Sequence, residues 1–185
     1  MQHLRCFVAA LFACALFAAP GTVKAQSAHS AAHFVLVPYQ EPGEDDPHAA
    51  VVTQVLSDGL KAAGVSFTTV DPVAHLDAVA NAAKLCVANN ATALLIPDGR
   101  YEQTSKRLAV SFVVVVKYNT HVEFRLDQVS CSGFVQWSNV ATGDQTQSGM
   151  YTAGNVGAAV DAAFRDAVQS DTAAFASASI WMELS

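Results

Sequence analysis

The sequence predicts an exported α/β protein with a single three-layer-type domain over residues 33–176. A parallel β-α-β-α-β half comes first, followed by antiparallel β-hairpins and a C-terminal helix. Three observations predict this. The amino terminus has the layout of a secretory leader. Short apolar runs then alternate with stretches of helical period, which implies crossovers and parallel pairing. After residue 107 the pattern changes to long β-branched runs and period-two alternation.

The leader is read over residues 1–25. Arg5 gives a short basic start, Cys6 to Ala19 is an almost purely apolar run of 14 residues, and Pro20-Gly21 breaks it. Val23-Lys24-Ala25 supplies the small or compact side chains that precede a cleavage site. Fourteen residues fall short of the roughly 20 needed for a transmembrane helix, so cleavage is expected to leave no membrane span. Cys14 sits behind bulky Phe12 inside the apolar run, a poor setting for lipid attachment. Of the 185 residues, 52% are hydrophobic and 14% charged, with a net charge of −6. The leader carries Arg5 and Lys24 and no carboxylate, so the exported chain keeps 8 basic and 16 acidic residues, a net −8. That balance excludes a nucleic-acid surface, which needs clustered cations against phosphate.

Residues 26–32 form a small-residue linker, and Phe34 to Val37 is a strand apolar on both faces. Asp46-Pro47 reads as an N-cap with proline at the first helical position. Val51, Val52, Val55, Leu56, Leu60 and Ala63 make one helical stripe, closed by Gly64. Val65 to Val70 is a second strand. Asp71-Pro72 opens a second helix whose buried face is expected to hold Leu76, Val79, Ala80, Ala83, Cys86 and Val87, ending at Asn89-Asn90. Thr92 to Ile96 is a third strand, stopped by a turn at Pro97-Asp98-Gly99.

Leu108 to Val116 is the next strand, with a turn expected near Tyr118-Asn119-Thr120. Val122, Phe124 and Leu126 alternate with Glu123, Arg125 and Asp127, giving one apolar and one wet face. The parity then flips to Val129, Cys131, Val135 and Trp137, which predicts a bulge around Asp127-Gln128. Thr142-Gly143-Asp144 reads as a hairpin turn. Val156, Val160, Ala163, Phe164, Ala167, Val168 and Phe175 mark the last helix, and residues 177–185 read as a tail. The aromatic stripe of Phe112, Phe124, Phe134 and Trp137 is either sheet packing or an exposed partner-binding face.

Loss of the leader removes Cys6 and Cys14 and leaves one pair, Cys86 and Cys131. They are either a disulfide of an oxidising compartment or two small buried hydrophobes. The candidate ligand-binding residues lie after strands one and three. Glu41, Glu44 and Asp45, with Asp46, offer oxygens for a hard cation, although no calcium-loop spacing is present and a solvated loop is the simpler reading. Asp98, Arg100 and Tyr101 follow the third strand, where α/β sheets often bind ligands. Asp98 has the position of a receiver-type phosphoacceptor, but the accompanying acidic pair and lysine are missing. His33, His48, His75 and His121 are scattered, and no hydrolase, nucleotide or zinc motif occurs. No metal or cofactor is therefore assigned. Asn90-Ala91-Thr92 matches a glycosylation triplet at a helix end.

Three segments carry a resemblance: Val35-Leu36-Val37-Pro38-Tyr39; Ala91 to Ile96 leading into Gly99-Arg100-Tyr101; and Val135 to Ser148 containing Asn139-Val140-Ala141-Thr142-Gly143-Asp144. Over about residues 33–175 their order resembles a family of bacterial envelope domains. It comprises the TolB amino-terminal domain, CsgG and the penicillin-binding-protein-activator lipoproteins. The resemblance implies a helix, a strand ending in Gly, a long hairpin with a Thr-Gly turn and a final helix. It also implies a non-catalytic envelope module whose partners are other envelope proteins or a second copy of itself. The alternative from the residues is a periplasmic solute- or ion-binding protein using the loops after strands one and three.

Overall fold

A computed structural model of the chain describes residues 32–40, 47–110, 113–149 and 153–182. The elements are β1 (His33–Leu36), α1 (Ala49–Ala62), β2 (Ser66–Thr69), α2 (His75–Ala80), α3 (Ala82–Asn89), β3 (Ala93–Val110), β4 (Val113–Ser130), β5 (Val135–Gly149) and α4 (Ala153–Met182). The strands form one sheet in the order β2-β1-β3-β4-β5. β1 is parallel to β2 and β3, while β3-β4 and β4-β5 are antiparallel. The predicted α/β class, with its parallel half, antiparallel half and C-terminal helix, is what the chain adopts.

Helices α1 and α4 lie on one face. Phe34 and Leu36 of β1 and Val122, Phe124 and Leu126 of β4 meet Leu56 and Leu60 of α1 and Phe164 and Phe175 of α4. Burying each such Leu or Phe contributes roughly 1.5–3 kcal/mol. Among the described residues the other face is covered at one end only, by α2 and α3, whose Ala78, Ala82 and Cys86 sit on Val35, Leu94, Ile96 and Val129. Small residues bring these two helices close to the sheet, and a disulfide joins Cys86 to Cys131 just beyond β4. The reading of these cysteines as a bonded pair is correct.

The stripe of α1 is confirmed, with Val52, Leu56 and Leu60 buried and Gly64 at φ +75°. Its N-cap position falls to His48 rather than Asp46, which lies outside the described residues. The second predicted helix is corrected. It breaks at Asn81 into α2 and α3, and the break turns Leu76 and Val87 into solvent (79% and 84% exposed). Asn90 closes α3 in the left-handed conformation at φ 50°.

Three predicted turns are corrected together. Pro97-Asp98-Gly99, Tyr118-Asn119-Thr120 and Thr142-Gly143-Asp144 all lie inside long strands. Pro97 is tolerated because β1 has ended at Leu36↔Leu95, leaving β3 a free side where no ladder bond needs its missing N–H. Gly143 serves contact rather than turning. A Cβ there would lie 1.9 Å from the Ala163 carbonyl oxygen, so α4 crosses β5 against bare backbone. The real β4-β5 connection is at 131–134, where Gly133 takes φ +85° and Ser130 exchanges backbone hydrogen bonds with Gly133 and Phe134. The predicted bulge falls between Gln128 and Val129. Helix α4 runs on through Met182, well into the segment that reads as a tail.

Candidate functional site

The alternation of β3, β4 and β5 places one set of side chains opposite α4, on the face that α2 and α3 leave open. The register stacks them in rows across the three strands. Asp98, Arg125 and Val140 form one row; Arg100, Glu123 and Thr142 the next; Glu102, His121 and Asp144 the third. Arg125 donates from Nη2 to Asp98 Oδ2 at 2.9 Å, and Arg100 donates from Nε to Glu123 Oε2 at 2.7 Å. His121 Nδ1 lies 2.7 Å from Asp144 Oδ1. The first two rows therefore pair their charges, whereas Glu102, His121 and Asp144 leave the third acidic. A shallow groove of about 280 Å³ runs over Asp98, Gly99, Arg100, Glu123, Arg125 and Val140. It continues as about 250 Å³ over Glu102 and His121.

At the covered end of this face Asp127 is buried, with its carboxylate 5% exposed. Ser138 donates to Asp127 Oδ1, His75 Nε2 is 3.2 Å from Oδ2, and Arg125 Nε is 3.3 Å from that same oxygen. Serine and histidine thus both address the carboxylate and not each other. A nucleophile needs its hydroxyl on the imidazole, so this constellation is a structural clamp and lacks the order of a hydrolytic triad. The clamp ties α2 to β4 and β5.

On the opposite face, His48 is buried, with Nδ1 2.7 Å from Asp161 Oδ1 of α4. The Tyr101 and Phe164 rings lie 5.6 and 6.3 Å from its own. Tyr39 donates its hydroxyl to the Gly99 carbonyl at 3.1 Å. Gly99 packs closely there: an added Cβ would come within 3.1 Å of the Phe164 ring and 3.3 Å of the Tyr39 ring, tight enough that the rings would have to shift. A separate open groove of about 420 Å³ lies past β1, lined by Tyr39, Thr53, Gln54, Ser57, Thr69 and Pro72. Tyr39 N–H already uses the Thr53 hydroxyl.

The predicted site residues therefore divide. Asp98 and Arg100 come together on the open sheet face, but as strand residues holding cross-strand ion pairs. Tyr101 points to the other side and packs beside His48. Glu41, Glu44 and Asp45 lie outside the described residues. The four histidines, scattered in sequence, are each engaged. Three pair with aspartates, and His33 bridges Ser66 and Thr68 of β2 at 2.8 and 3.0 Å. Of the aromatic stripe, Phe124 is core, Trp137 packs on Phe175 with ring centroids 5.2 Å apart, Phe134 is exposed, and Phe112 is outside the described residues.

One buried group is invisible to sequence patterns. Asp171 of α4 is fully buried, accepts a hydrogen bond from Asn139 at 2.7 Å, and finds no hydrogen-bond partner for Oδ2 among the described residues. Burial pushes its carboxyl up from the ordinary 3.8 to about 6, helped by the nearby Asp127 charge and opposed by Asn139 and the Leu126 backbone. The only sequence signal is its place on the apolar stripe of α4, one turn before Phe175.

No family model and no curated relative matches the chain. Among solved structures, it is similar to a candidate neuraminyllactose-binding hemagglutinin homolog from Helicobacter pylori, at 12% identity and a TM-score of 0.50 over 74% of this chain and 81% of that one. Weaker likenesses are to the PelC dodecamer from Paraburkholderia phytofirmans (16% identity, TM-score 0.37, 76% of this chain and 84% of that) and to a candidate lipoprotein from Caulobacter crescentus (11%, 0.36, 81% and 88%). At such identity the first likeness concerns the fold alone, and nothing further is drawn from the other two.

Proposed function

We propose that the protein is an exported envelope component that acts through protein–protein contacts made by the open face of β3, β4 and β5. The observation that carries this reading is that no helix among the described residues covers this face beyond α2 and α3. Two ion-paired rows lie at and beside Val140, which is 57% exposed between Arg125 and the groove. Such a face has specificity through charge register and one apolar anchor, the ordinary composition of a transient interface. The disulfide supports export, since such bonds persist in oxidising compartments. The resemblance to envelope domains of the TolB and CsgG kind points the same way. The strand placement of 97–101 removes one of the two loops on which the solute-binding alternative rests.

The test is reversal of the register. Arg100→Glu with Val140→Asp, both on exposed positions, is expected to leave the thermal midpoint within a few degrees. The wild-type protein, purified gently from the envelope, is expected to run in a complex that the double variant loses. A strictly monomeric wild-type protein that brings down no envelope partner would contradict the reading.

A further inference from the structure

The rows of the open face continue past Glu102, His121 and Asp144. Thr104, Asn119 and Thr146 form the fourth, and Lys106, Lys117 and Ser148 the fifth. Every side chain of rows three to five is exposed. They lie opposite α4, because the alternate residues Val116 and Tyr118 of β4 are buried with Ala159 of that helix. The first two rows pair their charges internally; rows three and five do not. With histidine neutral, the third row carries two negative charges, the fourth none and the fifth two positive ones. Lys106 and Lys117 are directly opposed across the ladder, an arrangement that costs stability unless carboxylates lie over it. Among the described residues no ion pair involves Glu102, Lys106 or Lys117. The two charged rows stand about 14 Å apart along the strands, beyond the screening length of about 8 Å at physiological salt. Neither row therefore neutralises the other within one copy.

We infer that rows three to five form a self-complementary patch on which a second copy of this chain docks face to face. The order of charge selects the symmetry. A two-fold axis running across the strands, through the fourth row, reverses strand direction and keeps each strand over its counterpart. Glu102 of each copy then stands over Lys106 of the other, and Asp144 lies one strand over from Lys117, within reach of its long stem. The neutral fourth row meets itself. An axis running along the strands would instead stack acid on acid and lysine on lysine, which charge complementarity forbids. The three rows cover about 300 Å² of each copy, below the ~800 Å² a side of a standard interface, so the contact is weak, reversible and sensitive to salt. The self-contact rests on the reading of this face as a protein-contact surface and names a second copy as the occupant of its outer rows.

Sedimentation equilibrium of the exported protein over a wide concentration range is expected to show a reversible dimer. Its affinity should fall at least about tenfold at about 1 M salt, where screening shortens to about 3 Å. Two charge-reversed variants test the pairing: Glu102→Lys with Asp144→Lys, and Lys106→Glu with Lys117→Glu. Each alone is expected to dimerise at least about tenfold more weakly than wild type, and an equal mixture of the two should associate at least as well as wild type, because opposite signs then face each other again. A second measurement leaves the charges untouched. Thr104→Cys, near the axis, should be captured as a homodimer by a short bis-maleimide, whereas Ala62→Cys on α1 should not. A wild-type protein monomeric at every concentration, association that survives either reversal, no recovery on mixing two folded variants, or equal capture from positions 104 and 62 would each overturn the inference. If wild type is monomeric yet Arg100→Glu with Val140→Asp still loses an envelope complex, the self-contact falls while the wider reading of the face stands.

Discussion

Asp171 is held in the fold against its own ionisation. Its carboxyl keeps a proton up to about pH 6 in the native state, whereas in the unfolded chain it loses it near 3.8. The native state therefore binds more protons between those values, and stability falls as pH rises through that window. Full stability is present below about 3.8, and the loss is complete above about 6. Asp171→Asn removes the charge, so the variant is expected to be more stable than wild type at pH 7.5 by roughly 2–3 kcal/mol. The difference is expected to vanish near pH 3.5. Urea titrations of both proteins across that range check it, and a pH-independent difference would refute the assignment. The cysteine pair makes a second prediction at this scale. Closing a 45-residue separation stabilises by about 4 kcal/mol in the chain-entropy model, so Cys86→Ala with Cys131→Ala should lower the urea midpoint markedly. An unchanged midpoint would mean that the pair contributes nothing.

Contact between α4 and β5 depends on bare backbone at Gly143. With Ala163 carbonyl oxygen 1.9 Å from where a Cβ would stand, Gly143→Ala must lift the helix or bend the strand. The expected cost is about 3 kcal/mol or more, near 10 °C in thermal midpoint for a unit of this size. Gly149→Ala, in the same strand with nothing within 4 Å, is expected to leave the midpoint unchanged, so the pair of variants separates packing from β-propensity. These glycines also explain what the sequence hid. The apolar stripes of α1 and α4, the first strand and the parity flip near residue 128 were legible because periodicity records which side faces the core. Pro97-Asp98-Gly99 and Thr142-Gly143-Asp144 were misleading because residues that favour turns are also those that suit a strand with a free side, or one lying under a helix. With those turns in place, Asp98 and Arg100 read as loop ligands; with them removed, they become ion-paired rungs. The Asp127 clamp could not be read at all, because His75, Arg125 and Ser138 converge only through α2 docking and the β4-β5 register.

Among the described residues, the sheet is covered on one face by α1 and α4 and left open over most of the other. The disulfide and the Asp127 clamp secure the small helices at the closed end, and the open face of β3, β4 and β5 continues beyond them. That division is the basis for placing partner contacts on the sheet face. The most direct measurement is in-cell photo-cross-linking from a photoreactive residue introduced at Thr142, in the centre of the open face, with Ala62 on α1 as the control position. Both are exposed, and neither carries a structural contact that the change would remove. A discrete adduct with another envelope protein from position 142 and none from position 62 is the predicted result. Adducts absent from both positions in protein shown to be exported, or appearing only from position 62, would contradict it.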